Sequence, residues 1–172
     1  MPQIQPFAHD ALATFSPELM AAIEAAPLPS LGAGPVDPAL TSLLSQPENA
    51  RLLGDTPQHR QQACRSGLWL LAGDLDRSHT ISQDINDPEG SFWHGIMHRR
   101  EGDFGNSKYW IRRVGNHPVF QQIAEQAPTY HDPFAFVDAC SSANDDDPDG
   151  YAACIHLQWL EWQLLMAHCI CG

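Results

Sequence analysis

Nine histidines stand in this chain, as many as its lysines and arginines together, and their spacing is where chemistry can begin. In F-W-H-G-I-M-H-R-R-E, His94, His98 and Glu101 are separated by four and then three residues, which puts them on one helical face at about 100° per residue. Two imidazoles one turn apart can chelate one ion, as in H-x-x-x-H metal sites, although the glutamate is not where H-E-x-x-H would carry it. Upstream, A-G-D-L-D-R-S-H-T-I-S-Q adds Asp76 and His79 at i, i+3. A short turn between the two segments would let His79, His94 and His98 offer nitrogen, and Asp76 oxygen, to one divalent ion: Zn, Fe or Mn. Two carboxylates have a place in catalysis. Glu101 lies on the histidine face, and Glu161, set among Trp159, Leu160 and Trp162, needs a cation, a metal or an arginine if it is buried.

A second constellation is basic. Residues 91–117 hold Arg99, Arg100, Lys108, Arg112 and Arg113 and only two acids, a segment of charge +3 in a chain whose net charge is −12. Arginine forks and a lysine suit a small anion such as a carboxylate or phosphate, with Tyr109 and Trp110 as a stacking wall. The same groups can instead pair internally with the acidic remainder. A chain this acidic is expected to bind neither nucleic acid nor an anionic membrane. No apolar run approaches the ~20 residues that span a bilayer, and the N-terminal residues lack a leader pattern, so a soluble cytoplasmic protein is expected. The five cysteines are odd in number and irregularly spaced, which predicts reduced thiols. There is no G-x-S-x-G elbow, no Walker loop and no G-x-G-x-x-G, and D-D-D-P-D-G lacks the alternating ligands of a calcium loop.

The elements that must position these groups are helices. Nine of the 14 prolines lie in the first 57 residues. Ser16-Pro17, Asp37-Pro38 and Thr56-Pro57 each put a capping side chain before a proline at a first helical position. The spacing predicts helices over 17–26 and 38–45, then a long one from Pro57 to about Ile85 with Cys64, Leu68, Leu71, Leu75 and His79 on its inward stripe. Asp87-Pro88-Glu89-Gly90 reads as a turn. Helices over 91–101 and 105–114, short ones up to Pro128 and from Asp132 to about 143, a turn at 144–150 and a final helix over 151–170 follow. The last is apolar all round and belongs in the centre of a bundle. Period-two alternation is absent, so the expectation is all-α: one irregular helical domain of about seven helices, its proline-rich residues 1–55 wrapped on a 57–171 core.

The block from S-H-T-I-S-Q through F-W-H-G-I-M-H-R-R-E-G-D-F-G-N-S-K-Y-W-I-R-R-V-G-N-H-P-V-F, roughly residues 74–120, resembles a family of uncharacterised bacterial and fungal proteins, a resemblance that implies no activity. Two functions are therefore expected to compete. One is a metal-dependent hydrolase or oxygenase acting on a small molecule. The other is a non-catalytic module that binds a small anion or a protein, because E-G-D-F-G-N-S-K-Y-W-I-R-R also resembles one helix of a tetratricopeptide or Sel1-type repeat.

Overall fold

Proline starts most of this fold. In the computed structural model, which describes residues 3–47 and 49–172, seven of the ten α-helices have proline in their first turn, where its missing N–H costs nothing. The helices are α1 (Pro6–Leu12), α2 (Pro17–Ala25), α3 (Pro38–Leu44), α4 (Gln61–Leu71), α5 (Leu75–Ser82), α6 (Pro88–Glu101), α7 (Phe104–Val114), α8 (Pro118–Gln126), α9 (Pro133–Ser142) and α10 (Pro148–Cys171), with one 3₁₀ turn at Asn49–Leu53. The described residues form no strand, and no helix among them is long and apolar enough to cross a membrane.

The all-α expectation holds, but about seven helices becomes ten, for local reasons. The long helix expected from Pro57 is two. Gly73 takes φ +82°, and a Cβ there would lie 2.6 Å from the Pro35 carbonyl oxygen, so the chain must break where the N-terminal segment crosses it. Asp74 then accepts the Arg77 N–H at 3.0 Å and starts α5. Thr56 caps nothing, because its hydroxyl donates to Leu53 O at 2.7 Å, and α4 begins only at Gln61. Asp87-Pro88 and Asp147-Pro148, both expected as turns, instead open α6 and α10.

The centre is also displaced from the expected one. In α10 the buried positions concentrate between Gln158 and Ile170, whereas in α6 every residue from Glu89 to Arg100 is buried, two histidines and two arginines included. The buried apolar residues run in one cluster from Ala8 to Ile170, to which α1, α2 and α3 contribute Leu12, Leu19, Ile23 and Leu40. α7 packs along α6, and α5 bridges α4 and α6.

Two adjacent arginines bind α6 to its surroundings. Arg99 forks onto both oxygens of Glu161, the Nη1 bond to Oε1 being 3.2 Å, reaches Gln158 Oε1 at 3.4 Å, and lies 4.4 Å from the centre of the Phe136 ring. The Gln158 amide in turn donates to Pro29 O at 3.2 Å and Ser30 O at 3.0 Å. Arg100 donates to Leu70 O at the end of α4, to Gly32 O at 3.2 Å and to Ala33 O at 3.1 Å. Burial, with Arg99 beside it, lowers its pKa to about 10, so it stays charged at neutral pH.

Glu161→Gln leaves the Arg99 charge buried and uncompensated. It is expected to cost about 3–5 kcal/mol in urea denaturation, whereas joint replacement of Arg99 and Glu161 by Met and Leu should cost much less. An unmoved midpoint in Glu161→Gln would refute a structural role for the pair.

Candidate metal centre

The local sequence around each histidine explains where its ring goes. α5 is a short helix held on α4 by a serine pair, Ser66 Oγ lying 2.9 Å from Ser78 Oγ, and the next residue, His79, is turned towards α6. α7 approaches α6 at Gly95, whose missing side chain leaves room for Ile111 and lets the Ser107 hydroxyl donate to Gly95 O at 2.7 Å. Asn106 and Trp110, one turn apart on α7, then face His98 and His94, one turn apart on α6.

These contacts bring the three expected nitrogen ligands together. One ring nitrogen from each of His79, His94 and His98 lies within 4.8 Å of the others. The ring centres of His94 are 4.7 Å from those of both His79 and His98. An ion with bonds of about 2.0–2.1 Å holds tetrahedral donors about 3.3–3.4 Å apart. The half-buried His79, whose ring bonds no group among the described residues, is free to close the gap.

The hydrogen bonds behind the rings decide which nitrogens are available. Ser82 Oγ lies 3.3 Å from His79 O and 3.0 Å from His94 Nδ1; with its proton directed to the His79 carbonyl, it accepts from His94 Nδ1–H. The Glu101 carboxylate accepts from His98 Nδ1–H at 3.0 Å. In this tautomer, the one that metal-ligating histidines acquire from such partners, the lone pair of each ring is on Nε2; that of His98 is taken up by the Asn106 amide at 3.0 Å. The Trp110 ring, 4.1 Å away, backs His94 and is itself covered by Arg113 at 5.1 Å. Burial, followed by the neighbouring His98 and His79, lowers the His94 pKa to about 4, leaving it neutral at neutral pH as a ligand must be.

The other expected site residues fall in different places. Asp76 lines a cleft of about 1140 Å³ together with His79, His98 and Glu101, but it is not part of the three-nitrogen group. No lysine or arginine lines this cleft; Asp74 and Asp103 add to its acidity. Glu101 enters the site behind His98, through its bond to Nδ1, and also lines the cleft. Glu161, read from the sequence as catalytic, is 1% exposed and held by Arg99. The five basic residues do not converge on an anion pocket: Arg99 and Arg100 are committed inside, Lys108 pairs with Asp138 on α9, Arg112 lies 5.7 Å from the Phe134 ring centre, and Arg113 covers Trp110.

A second group, Glu89, His117 and His168, also has donors within 4.8 Å of one another. Sequence spacing did not signal it, because its members come from α6, the start of α8 and α10. It is less suited to an ion. Arg60 already supplies a cation to Glu89 at 2.8 Å, beside His168 at 3.2 Å. His117 Nδ1 accepts the Val119 N–H at 3.3 Å, which leaves the proton on Nε2, a buried atom with no hydrogen-bond partner among the described residues. Burial and the neighbouring His168 are the leading causes that lower its pKa to about 4. The sequence reading also passed over Ser82 and Asn106. Ser82 carried a weak signal, three residues after His79; Asn106 carried none.

Comparison with protein-family models, curated proteins and solved structures gives no match to this chain.

Both His94 and His117 are held neutral in the folded chain to a pKa of about 4, against about 6.5 when unfolded. Between these values the unfolded chain binds more protons, so stability falls as pH drops from about 6.5 to about 4 and the loss levels off below. The expected loss is about 3 kcal/mol for each ring, read from urea midpoints across that range. His117→Asn is expected to remove its share of the slope, and an unchanged slope would contradict the assignment.

Proposed function

We propose that the protein is a metal-binding helical protein in which His79, His94 and His98 hold one divalent ion, Zn, Fe or Mn, at the edge of an acidic cleft, and that it acts there as a hydrolase or oxygenase on a small molecule. The observation that carries this reading is the group of three imidazoles, one ring nitrogen of each within 4.8 Å of the others, in which the Nδ1 atoms of His94 and His98 are bonded to Ser82 and Glu101, so that Nε2 is the side turned to an ion. Three neutral nitrogen donors suit borderline ions. They leave the ion's charge undiminished, so that a water bound on it ionises near neutral pH and hydrolysis is the first chemistry to expect; iron would favour oxygen chemistry.

The chain's own residues have distinct parts in this reading. Ser82 and Glu101 set the tautomers, Trp110 keeps His94 in orientation, and the second Glu101 oxygen is placed to take a proton from the cleft, since its side chain is 56% exposed. Asp76 and its acidic neighbours favour a neutral or cationic substrate over an anion. One helical domain, with residues 1–55 packed on the rest, and a cytoplasmic setting complete the proposal.

The competing module of tetratricopeptide type requires an exposed concave groove and has no use for buried histidines, whereas His94 is 2% and His98 is 7% exposed. Elemental analysis of protein purified without a histidine tag is expected to find about one transition metal per chain. Added metal at about 100 times its dissociation constant should stabilise the fold by about 2.7 kcal/mol. His79→Ala should weaken binding by at least about 100-fold, more than loss of an outer partner would. No bound metal, together with no shift in Tm on adding zinc, manganese or iron, would overturn the reading.

A further inference from the structure

Resting on that metal reading, we propose that Asn106 is an oxygen ligand of the centre, covering the His98 lone pair when no ion is bound and turning its carbonyl onto the ion when one is. The Asn106 amide Nδ2 donates to His98 Nε2 at 3.0 Å. A bond of about 2.0–2.1 Å from Nε2 to an ion runs along the same lone pair. The ion and this amide proton therefore exclude one another, and Asn106 has to respond to any metal that His98 binds.

The response needed is small. Asn106 Oδ1 bonds no group among the described residues, so a half-turn of the terminal amide exchanges Nδ2 for Oδ1 without breaking a second hydrogen bond. The separation already matches: 3.0 Å from Nε2, against about 3.3–3.4 Å between two donors on a tetrahedral ion. The backbone is held in register on both sides. The Asn106 N–H donates to the capping Asp103 Oδ1 at 3.0 Å, and the next residue, Ser107, is bonded to Gly95 O on α6.

An amide oxygen makes chemical sense as this donor. It is neutral, so a centre of three imidazoles and one amide keeps the full charge of the ion for polarising water, which a carboxylate in the same place would offset. Nitrogen with oxygen donors remains a set for zinc, iron or manganese. With four protein donors, water or substrate takes a fifth position on the cleft side, lined by His79, His98 and Asp76.

Cobalt(II), whose visible spectrum reports coordination, tests this on the full chain. The wild-type protein is expected to bind it, Asn106→Ala to bind it at least about tenfold more weakly with an altered spectrum, and Asn106→Asp to bind it more tightly. If Asn106→Ala binds as tightly as wild type or tighter, with the wild-type spectrum, Asn106 only covers the lone pair and the proposal falls while the three-histidine centre stands. If the wild-type protein binds no cobalt, or His79→Ala binds it unchanged, the centre itself is wrong. Should Asn106→Ala fail to fold, Asn106→Asp carries the test alone: tighter binding supports a ligand, and unchanged or weaker binding overturns it.

Discussion

The rotation of α6 about its own axis is the constraint on which the rest of this structure depends. Three consecutive residues near its end point in three directions about 100° apart, and each meets a different neighbour: His98 faces Glu101 and α7, Arg99 faces Glu161 on α10, and Arg100 faces the carbonyls of α4 and the Gly32–Ala33 loop. A helix held at one residue can turn; one held on three sides cannot. Because the Arg99 fork is buried, turning α6 would strand a charge at a cost of several kcal/mol. The arginines thus aim the histidines without touching them.

This changes the meaning of the basic segment. In a chain of net charge −12, residues 91–117 look like a place for an anion. The structure uses their charge for construction: two guanidinium groups inside, the Lys108 ammonium on the Asp138 carboxylate of α9, and two guanidinium groups over aromatic rings. Consequently the cleft beside the histidines is lined by carboxylates and no arginine or lysine, an electrostatic setting for a cation.

Much of this was readable from sequence, and what was not has physical causes. Proline after Ser or Asp marked the starts of α2, α3 and α9 because capping is a local interaction. The i, i+4 histidines and His79 were found because helical periodicity places side chains on a face. Gly73 as a break was missed, because its need for positive φ arises from Pro35, 38 residues earlier. Asn106 and the Glu89, His117 and His168 group were missed for the same reason: only packing between separate helices brings them together, and no spacing along the chain records it.

The misplacement of the centre follows from how hydropathy ranks helices. It promoted α10, whose residues are apolar on every side, over α6, which carries His94, His98, Arg99 and Arg100. Burial of α6 is tolerable because most of its polar side-chain groups are matched by carbonyls, carboxylates, a hydroxyl and an amide brought from five other parts of the chain. Such matching works only in one arrangement, so it specifies the position of α6 more narrowly than apolar packing does. α5 is different: an eight-residue helix marginal on its own, held by its Asp74 cap, the Ser66–Ser78 pair, the Ser82–His94 bond and Arg77 on Ser45 and Trp69, and it carries the least-bonded ligand, His79. Two ligand rings are therefore preset by hydrogen bonds and the third is not, so the ordering that metal binding would have to supply falls chiefly on the His79 side chain.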